Sequence, residues 1–318
     1  MHVIDAHCDT LLAIRENKED MQFTQEKVKM LGMTYLQFFA MFCHPTLLSQ
    51  DNGFNKSVNL LNDMLTLYQK MTLKYSYNKI LFKEDILAFE KKQKDDNPSV
   101  FSLLSIEGVY LAKSDLSYID FLYDHEVRCL SFTWNPSNEF ASGVNQDSCK
   151  GLSSLGRKAV QKCNNLGILV DVSHANDQTF YDIAQTANKP FVATHSNSRH
   201  VCPHKRNLDD DMLKILAKKG GLAGVNYFSD FLVAKEENRV AEVDDVIKHI
   251  EYMSSLIGTK HIGLGSDFDG IDKSAIKDVT KVPNIINALL KLNYKEEDVK
   301  DICSKNMIRV LKEVLNEG

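Results

Sequence analysis

The chain has 318 residues, 43% of them hydrophobic and 25% charged, with 15 glycines and 6 prolines. These proportions exclude a disordered or low-complexity chain and allow a large buried core. The formal charge of −5 and the pI near 6.1 leave no electrostatic footprint for nucleic acid or an anionic membrane, and no apolar run reaches the roughly 18 residues needed to span a bilayer.

The chain opens Met1-His-Val-Ile-Asp-Ala-His, without the basic and then apolar stretch of a secretory leader. It closes Leu315-Asn-Glu-Gly, with no apolar tail. Cys8, Cys43, Cys129, Cys149, Cys163, Cys202 and Cys303 are scattered and form no C-x-x-C pair, so they read as reduced thiols, mostly core filler. A soluble cytoplasmic protein is expected.

Along the chain, short apolar runs alternate with helical patterns. Strand-like runs at residues 3–6 and 35–42 precede a helix at 59–71, for which Ser57 is available as an N-cap. Runs at 100–106 and 127–133 lead to a helix at 155–166 that stops at Gly167. Runs at 168–172 and 191–194 follow. A helix at 209–219 then opens on three aspartates and closes on Lys218 and Lys219, which suits its dipole at both ends. A run at 222–226, a helix at 243–257, a run at 262–265 and an amphipathic helix at 296–315 complete the chain. The runs are nearly continuous in apolar character, as expected of strands covered on both faces. Eight of them between helices favour an α/β architecture, a (β/α)8 TIM-type barrel of the metallo-dependent hydrolase type, in one domain over 1–318. An open doubly wound sheet is the competing arrangement.

Ionisable residues fall just past the ends of these runs. His7 and Asp9 follow the first, Glu107 the third, His174 the fifth, His195 the sixth and Asp267 the eighth. Parallel strands bring such ends to one face. Three imidazoles and three carboxylates exceed what one Zn²⁺ usually takes. A bridging carboxylate would let two metals sit roughly 3.5–4 Å apart around one hydroxide, an arrangement used for hydrolysis. Singly, each residue has an ordinary reading. Glu107 could end a strand, His174 could open a helix, His195 could sit in a turn, and Asp267 with Asp269 could form a turn or a weak Ca²⁺ loop. His-x-Asp triplets are common by chance. All six at strand ends on one face point to a single site.

The segments Ile4-Asp-Ala-His-Cys-Asp, Ser105-Ile-Glu-Gly, Val170-Asp-Val-Ser-His, Ala193-Thr-His-Ser, Lys205-Arg-Asn-Leu and Gly263-Leu-Gly-Ser-Asp-Phe-Asp-Gly span nearly the whole chain. In this order they resemble the membrane (renal) dipeptidase family of zinc peptidases. The resemblance implies a dinuclear zinc barrel related to the amidohydrolases. Its substrates would be small dipeptides, often with a D-residue tolerated at the C-terminal position, and a homodimer is implied too. It assigns His7 and Asp9 to the first of two Zn²⁺, Glu107 to a bridge, and His174 and His195 to the second. Asp267 becomes the acid/base and Arg206 the grip on the substrate's terminal carboxylate; Trp134, Asn135 and Tyr227 complete the candidate substrate residues. Chemistry agrees: metals make hydroxide available at neutral pH, a carboxylate can shuttle the proton to the leaving amine, and an arginine fork matches a carboxylate.

The chain departs from its animal relatives after the fourth strand. Where they carry a substrate-contacting histidine, it reads Phe132-Thr-Trp134-Asn135. Trp134 cannot accept a hydrogen bond or carry charge. Asn135 or a metal substitutes there, or Trp134 walls the pocket. His200 and His204 read as loop histidines; His2, His44, His125, His249 and His261 read as structural. Two alternatives stay open: another amidohydrolase-type metal hydrolase, a deaminase or lactonase, and a barrel that binds without catalysis. His7-Cys8-Asp9, where many such sites open with His-x-His, and Glu107 tilt the choice toward a dipeptidase.

Overall fold

The computed structural model describes residues 1–92, 99–146 and 150–318, so Cys149 lies outside the described residues. The strands are β1 (His2–Cys8), β2 (Thr34–Phe42), β3 (Asn78–Lys79), β4 (Val100–Glu107), β5 (Val127–Ser131), β6 (Leu169–Asp171), β7 (Ala223–Val225) and β8 (Ile262–Leu264). They pair in parallel in the order β6-β5-β4-β2-β1-β8-β7, with β3 beside β4. Burial runs unbroken along β1, β4, β5, β6, β7 and β8, as both-sided cover requires. The result is an α/β fold whose parallel sheet curves into a half-barrel.

Residues 191–194, expected as the sixth strand, form no regular strand. Single bridges join Val192 to Asp171 beside β6 and Ala193 to Ala223 of β7. The ladder goes no further because side chains take over as acceptors: Thr194 N donates to Asp171 Oδ1 at 2.9 Å and His195 N to Ser173 Oγ at 3.1 Å. The two-residue β3 was not visible in the sequence, being too short for any period.

Helices Ser154–Leu166, Asp210–Lys218 and Val243–Ile257 lie where the periodicity puts them. Asp209 caps the second, accepting from Met212 N at 2.8 Å. The helix expected at 59–71 runs over Gly53–Tyr75 instead, with Asn52 at its N-cap, and Ser57 is buried inside it. The stretch 296–315 is broken into Glu296–Lys300, a π turn at Asp301–Lys305, and Asn306–Val314. No described helix is long and apolar enough to cross a membrane.

Two apolar clusters divide the core. One gathers Ile4, Leu36, Leu103, Cys129, Leu169, Val192 and Leu222 with Met307, Val310 and Leu311 of the last helix. Side chains from segments all along the sheet can meet only on its concave face. The larger cluster holds Val3, Cys8, Tyr35 and Phe39 with the surrounding helices. Simple alternation from Ile4 and Ala6 would send Cys8 inward as well. The pairing register slips between Asp5 and Cys8, and such a bulge reverses the alternation: Cys8 turns out to the helices while His7 and Asp9 face in.

The backbone closes tightly behind the site. A Cβ built on Gly265 would come within 1.7 Å of the Thr194 carbonyl oxygen, and one on Gly224 within 2.1 Å of the same atom. Gly265→Ala should therefore lower stability by about 1–3 kcal/mol, the usual cost of overpacking. The check is the urea midpoint; an unchanged midpoint would mean Thr194 is free to retreat.

Candidate metal centre

Glu107, at the end of β4, sits at the middle of the ionisable cluster. Its Oε1 lies 2.5 Å from His174 Nε2 and 3.9 Å from His195 Nε2, and its Oε2 lies 3.6 Å from His7 Nε2. His7 Nε2 is also 3.5 Å from Asp9 Oδ2 and 3.9 Å from Asp267 Oδ1. The six residues proposed from the sequence are thus brought together. Within them, His7, Glu107 and His195 form one metal-compatible group and His7, Asp9 and Asp267 another.

Hydrogen bonds fix which imidazole nitrogens face the cluster. Asn135 Oδ1 lies 2.9 Å from His174 Nδ1; an amide oxygen only accepts, so Nδ1 carries the proton and Nε2 a lone pair. At His195, Nδ1 meets Thr194 Oγ1 at 2.7 Å, while Thr194 Oγ1 donates to Asp171 Oδ2 at 2.8 Å. The hydroxyl proton is spent on the carboxylate, so His195 Nδ1 donates and its Nε2 is also a bare lone pair. Those two Nε2 atoms lie 3.0 Å apart. His7 Nε2 and Asp9 Oδ1 are buried without a partner. Converging lone pairs and orphaned ligand atoms beside three carboxylates fit a divalent cation.

The charge balance agrees. Burial drives Glu107 up to about 8, with Asp9 and Asp267 adding to the rise against the pull of His7. Burial likewise raises Asp267, with Asp9 adding to it. Burial opposes charge on His7 too, but Asp9, Glu107 and Asp267 outweigh it and hold the imidazole up to about 10. His174 and His195 are pushed well below the usual imidazole value, by burial first and then by Arg206 and His7.

A cavity of about 670 Å³ opens over this cluster, lined on one side by Phe42 and Trp134 and on another by Arg206, Phe228 and Phe231. Trp134 packs 5.2 Å from Phe42, 4.8 Å from His44 and 6.0 Å from His174. Arg206 is buried; Nη1 donates to Ser173 O and to Ser196 Oγ, and Nη2 lies 3.0 Å from His174 Nε2. Asn135 lines the cavity, but its oxygen is engaged on His174. Tyr227 is a correction. It is buried in the core with its ring 5.6 Å from Phe268 and does not line the cavity, because Phe228, the next residue, takes the cavity side. His200 stacks on Tyr252, and His204 packs against Phe231 with the rings tilted by 36°.

Asn226 and Asp5, which the sequence reading gave no role, help to hold the site, as does Asp269 of the turn read there. Asn226 Nδ2 donates to Asp267 Oδ2 at 2.8 Å. Asp5 accepts from Ser266 N and Oγ at 2.7 and 2.6 Å. Asp269 accepts from Thr10 Oγ1 at 2.6 Å and from Gln22 N at 2.5 Å, so it ties the loop down. The available signal was a polar residue at a strand end, as with Asn226 after residues 222–225.

Residues 1–317 match the family model described as membrane dipeptidase, peptidase family M19. The chain belongs to that family. It is therefore a dipeptidase, a hydrolase acting on peptide bonds. An uncharacterised dipeptidase of Schizosaccharomyces pombe is 30% identical over 298 residues, covering 88% of this chain and 70% of that protein. A dipeptidase of Aspergillus oryzae is 32% identical over 219 residues, 68% of this chain and 52% of that one. A metallopeptidase of Rhodobacter sphaeroides, solved with a phosphinate mimic of the dipeptide L-Ala-D-Ala, superimposes with a TM-score of 0.87 over 99% of both chains at 24% identity.

The cluster makes a thermodynamic prediction. Without metal at pH 7, His7 with its pKa near 10 and Glu107 with its pKa near 8 both hold protons, and both must lose them to coordinate. Zn²⁺ binding should release one to two protons, and affinity should rise as pH rises from 7 toward 10. Calorimetry in buffers of different ionisation enthalpy measures this; uptake or no exchange would contradict the charge assignment.

Proposed function

We propose that the chain is a dinuclear zinc dipeptidase that hydrolyses free dipeptides, including those with a C-terminal D-residue, within one catalytic domain over 1–318. The single observation that carries this reading is that Asp9, Glu107 and His174 line one cavity with Arg206, while His7 and His195 sit behind them within 3.9 Å of Glu107. A hydrolytic centre then lies beside a reader for a terminal carboxylate, as a dipeptide needs. The phosphinate dipeptide mimic bound by the Rhodobacter sphaeroides peptidase supports the substrate class. Bridges through Val192 and Ala193 between β6 and β7 support a closed (β/α)8 barrel.

In this reading His7 and Asp9 would hold one ion, His174 and His195 the other, and Glu107 would serve both. When bound, the ions supply Lewis acidity, polarising the scissile carbonyl and lowering the pKa of water. The chain's own residues do the rest. Asn226 fixes one oxygen of Asp267, leaving the other to take a proton from water and deliver it to the leaving amine. The raised pKa of Asp267 moves it toward the pH at which such a shuttle works best. Arg206 Nη2 lies 3.0 Å from His174 Nε2, a nitrogen that Glu107 Oε1 also approaches at 2.5 Å. Were that nitrogen to hold an ion, the guanidinium would be free to meet a carboxylate.

The test is hydrolysis of a small dipeptide panel, which a chelator should abolish and added Zn²⁺ restore. In the same assay Asp267→Asn should lower kcat by roughly 10²-fold or more while metal content stays near two per chain. Metal lost in parallel with activity would make Asp267 a ligand instead; activity indifferent to chelation would overturn the proposal.

Arg206 is tested through the substrate. Dipeptides should be cleaved and their C-terminal amides should be poor substrates. Arg206→Ala should mainly raise KM for the free acids, by a loss of about 1.5–3 kcal/mol typical of a charge-assisted hydrogen bond, and alter amide hydrolysis far less. Equal effects on both would remove the carboxylate role.

A further inference from the structure

Asp171 is fully engaged, yet it touches neither the cavity nor the cluster. Its Oδ1 accepts from two backbone amides, Ser173 N at 3.0 Å and Thr194 N at 2.9 Å, and from Ser173 Oγ at 2.6 Å. Its Oδ2 accepts from Thr194 Oγ1 at 2.8 Å. Thr194 Oγ1 in turn meets His195 Nδ1 at 2.7 Å. Ser173, Thr194 and His195 are all buried, so water does not compete for these bonds.

We infer that Asp171 is a positioning residue that sets the tautomer of His195 through the Thr194 hydroxyl, and so keeps the His195 Nε2 lone pair turned to the cluster. A carboxylate has no proton to give, so the single Thr194 hydroxyl proton goes to Oδ2. His195 Nδ1 must then supply the proton in its own bond to Thr194. Turning that hydroxyl to His195 would leave two oxygens facing each other at 2.8 Å with no hydrogen between them. Thr194 follows directly on Ala193, whose backbone bridges to Ala223 of β7, so the relay is anchored to the sheet and cannot swing away.

The logic predicts what an isostere does. In Asp171→Asn the oxygen must stay at Oδ1, because two backbone N–H groups point at it. The NH₂ then occupies the Oδ2 place and donates to Thr194 Oγ1. The Thr194 proton then has two neighbours, Ser173 Oγ at 3.0 Å and His195 Nδ1 at 2.7 Å; the nearer and more basic nitrogen takes it and becomes an acceptor, and the ring proton moves to Nε2, where it caps the lone pair. Shape and volume hardly change.

The inference rests on His195 being a metal ligand only for its consequence, and two readouts separate the parts. The first is the His195 tautomer in metal-free protein, read by long-range ¹⁵N–¹H NMR of ¹⁵N-histidine-labelled samples at a pH where the ring is neutral. Wild type should be Nδ1–H and Asp171→Asn should be Nε2–H. The second is Zn²⁺ affinity by chelator competition, expected to fall roughly 10–100-fold in Asp171→Asn, the usual effect of losing an orienting partner. Thr194→Val removes the relay with little change in shape; Asp171→Asn added to it should have no further effect on the tautomer. Thr194→Ser, which keeps the hydroxyl, should behave as wild type. An Nδ1–H tautomer retained in Asp171→Asn, or in Thr194→Val should the first variant not fold, overturns the inference. So does an additive double variant. The expected tautomer changes without any Zn²⁺ binding by wild type would leave Asp171's role standing and overturn the zinc reading.

Discussion

Burying like charges is the constraint on which the rest of this structure depends. Glu107, Asp9 and Asp267 converge on His7 within 3.9 Å, in a place where burial penalises every charge. Metal-free, the cluster balances itself by holding protons on Glu107 and His7. Such an arrangement stabilises nothing by itself, since breaking even about evenly against desolvation is the common fate of buried ion pairs. A cation among these side chains would convert the repulsion into coordination.

Holding that cluster takes backbone devices that local preference would not choose. The register slip in β1 turns His7 and Asp9 inward. Asp267 and Asp269 both adopt positive φ, 63° and 69°, a conformation that side-chain-bearing residues visit rarely and at a cost. The hydrogen bonds from Asn226, Thr10 and Gln22 to these two residues offset it. Gly265 and Gly224 let the Thr194 carbonyl approach where no side chain would fit, which brings the His195 segment against β7 and β8.

The sequence carried much of this, for physical reasons that can be named. Apolar runs ending in an ionisable residue mark strands and their catalytic ends together, so all six cluster members were legible. What was not legible depended on contacts between distant segments. The stretch 191–194 has the composition of a strand, but its ladder is taken over by Asp171 and Ser173, which no window on 191–194 contains. Tyr227 and Phe228 are adjacent, and a strand-end count cannot say which of two neighbours faces the cavity. Asn135 offered a polar side chain at the right place, but its partner, His174, lies well along the chain. The helix start at Gly53 depends on Asn52 in a left-handed cap, a weaker signal than the serine at position 57.

The aromatic half of the cavity completes the electrostatic account. Phe42, Trp134, Phe228 and Phe231 line the space next to the cluster together with the charged Glu16, Lys18, Lys205 and Asp272, and apolar surface beside a charge lowers the effective dielectric there. Burial is the first cause of the rise at Asp267 and Glu107 and of the fall at His174 and His195. It also strengthens any bond between Arg206 and a carboxylate, since the same charges attract more when water is absent. A charged or strongly hydrated residue in place of Trp134 would bring solvent to the ring of His174, 6.0 Å away, and weaken all of these effects at once. Tryptophan there adds no catalytic group. It supplies a large, flat apolar surface with a single N–H donor beside Phe42, His44 and His174, so the imidazole of His174 has an apolar neighbour on the cavity side.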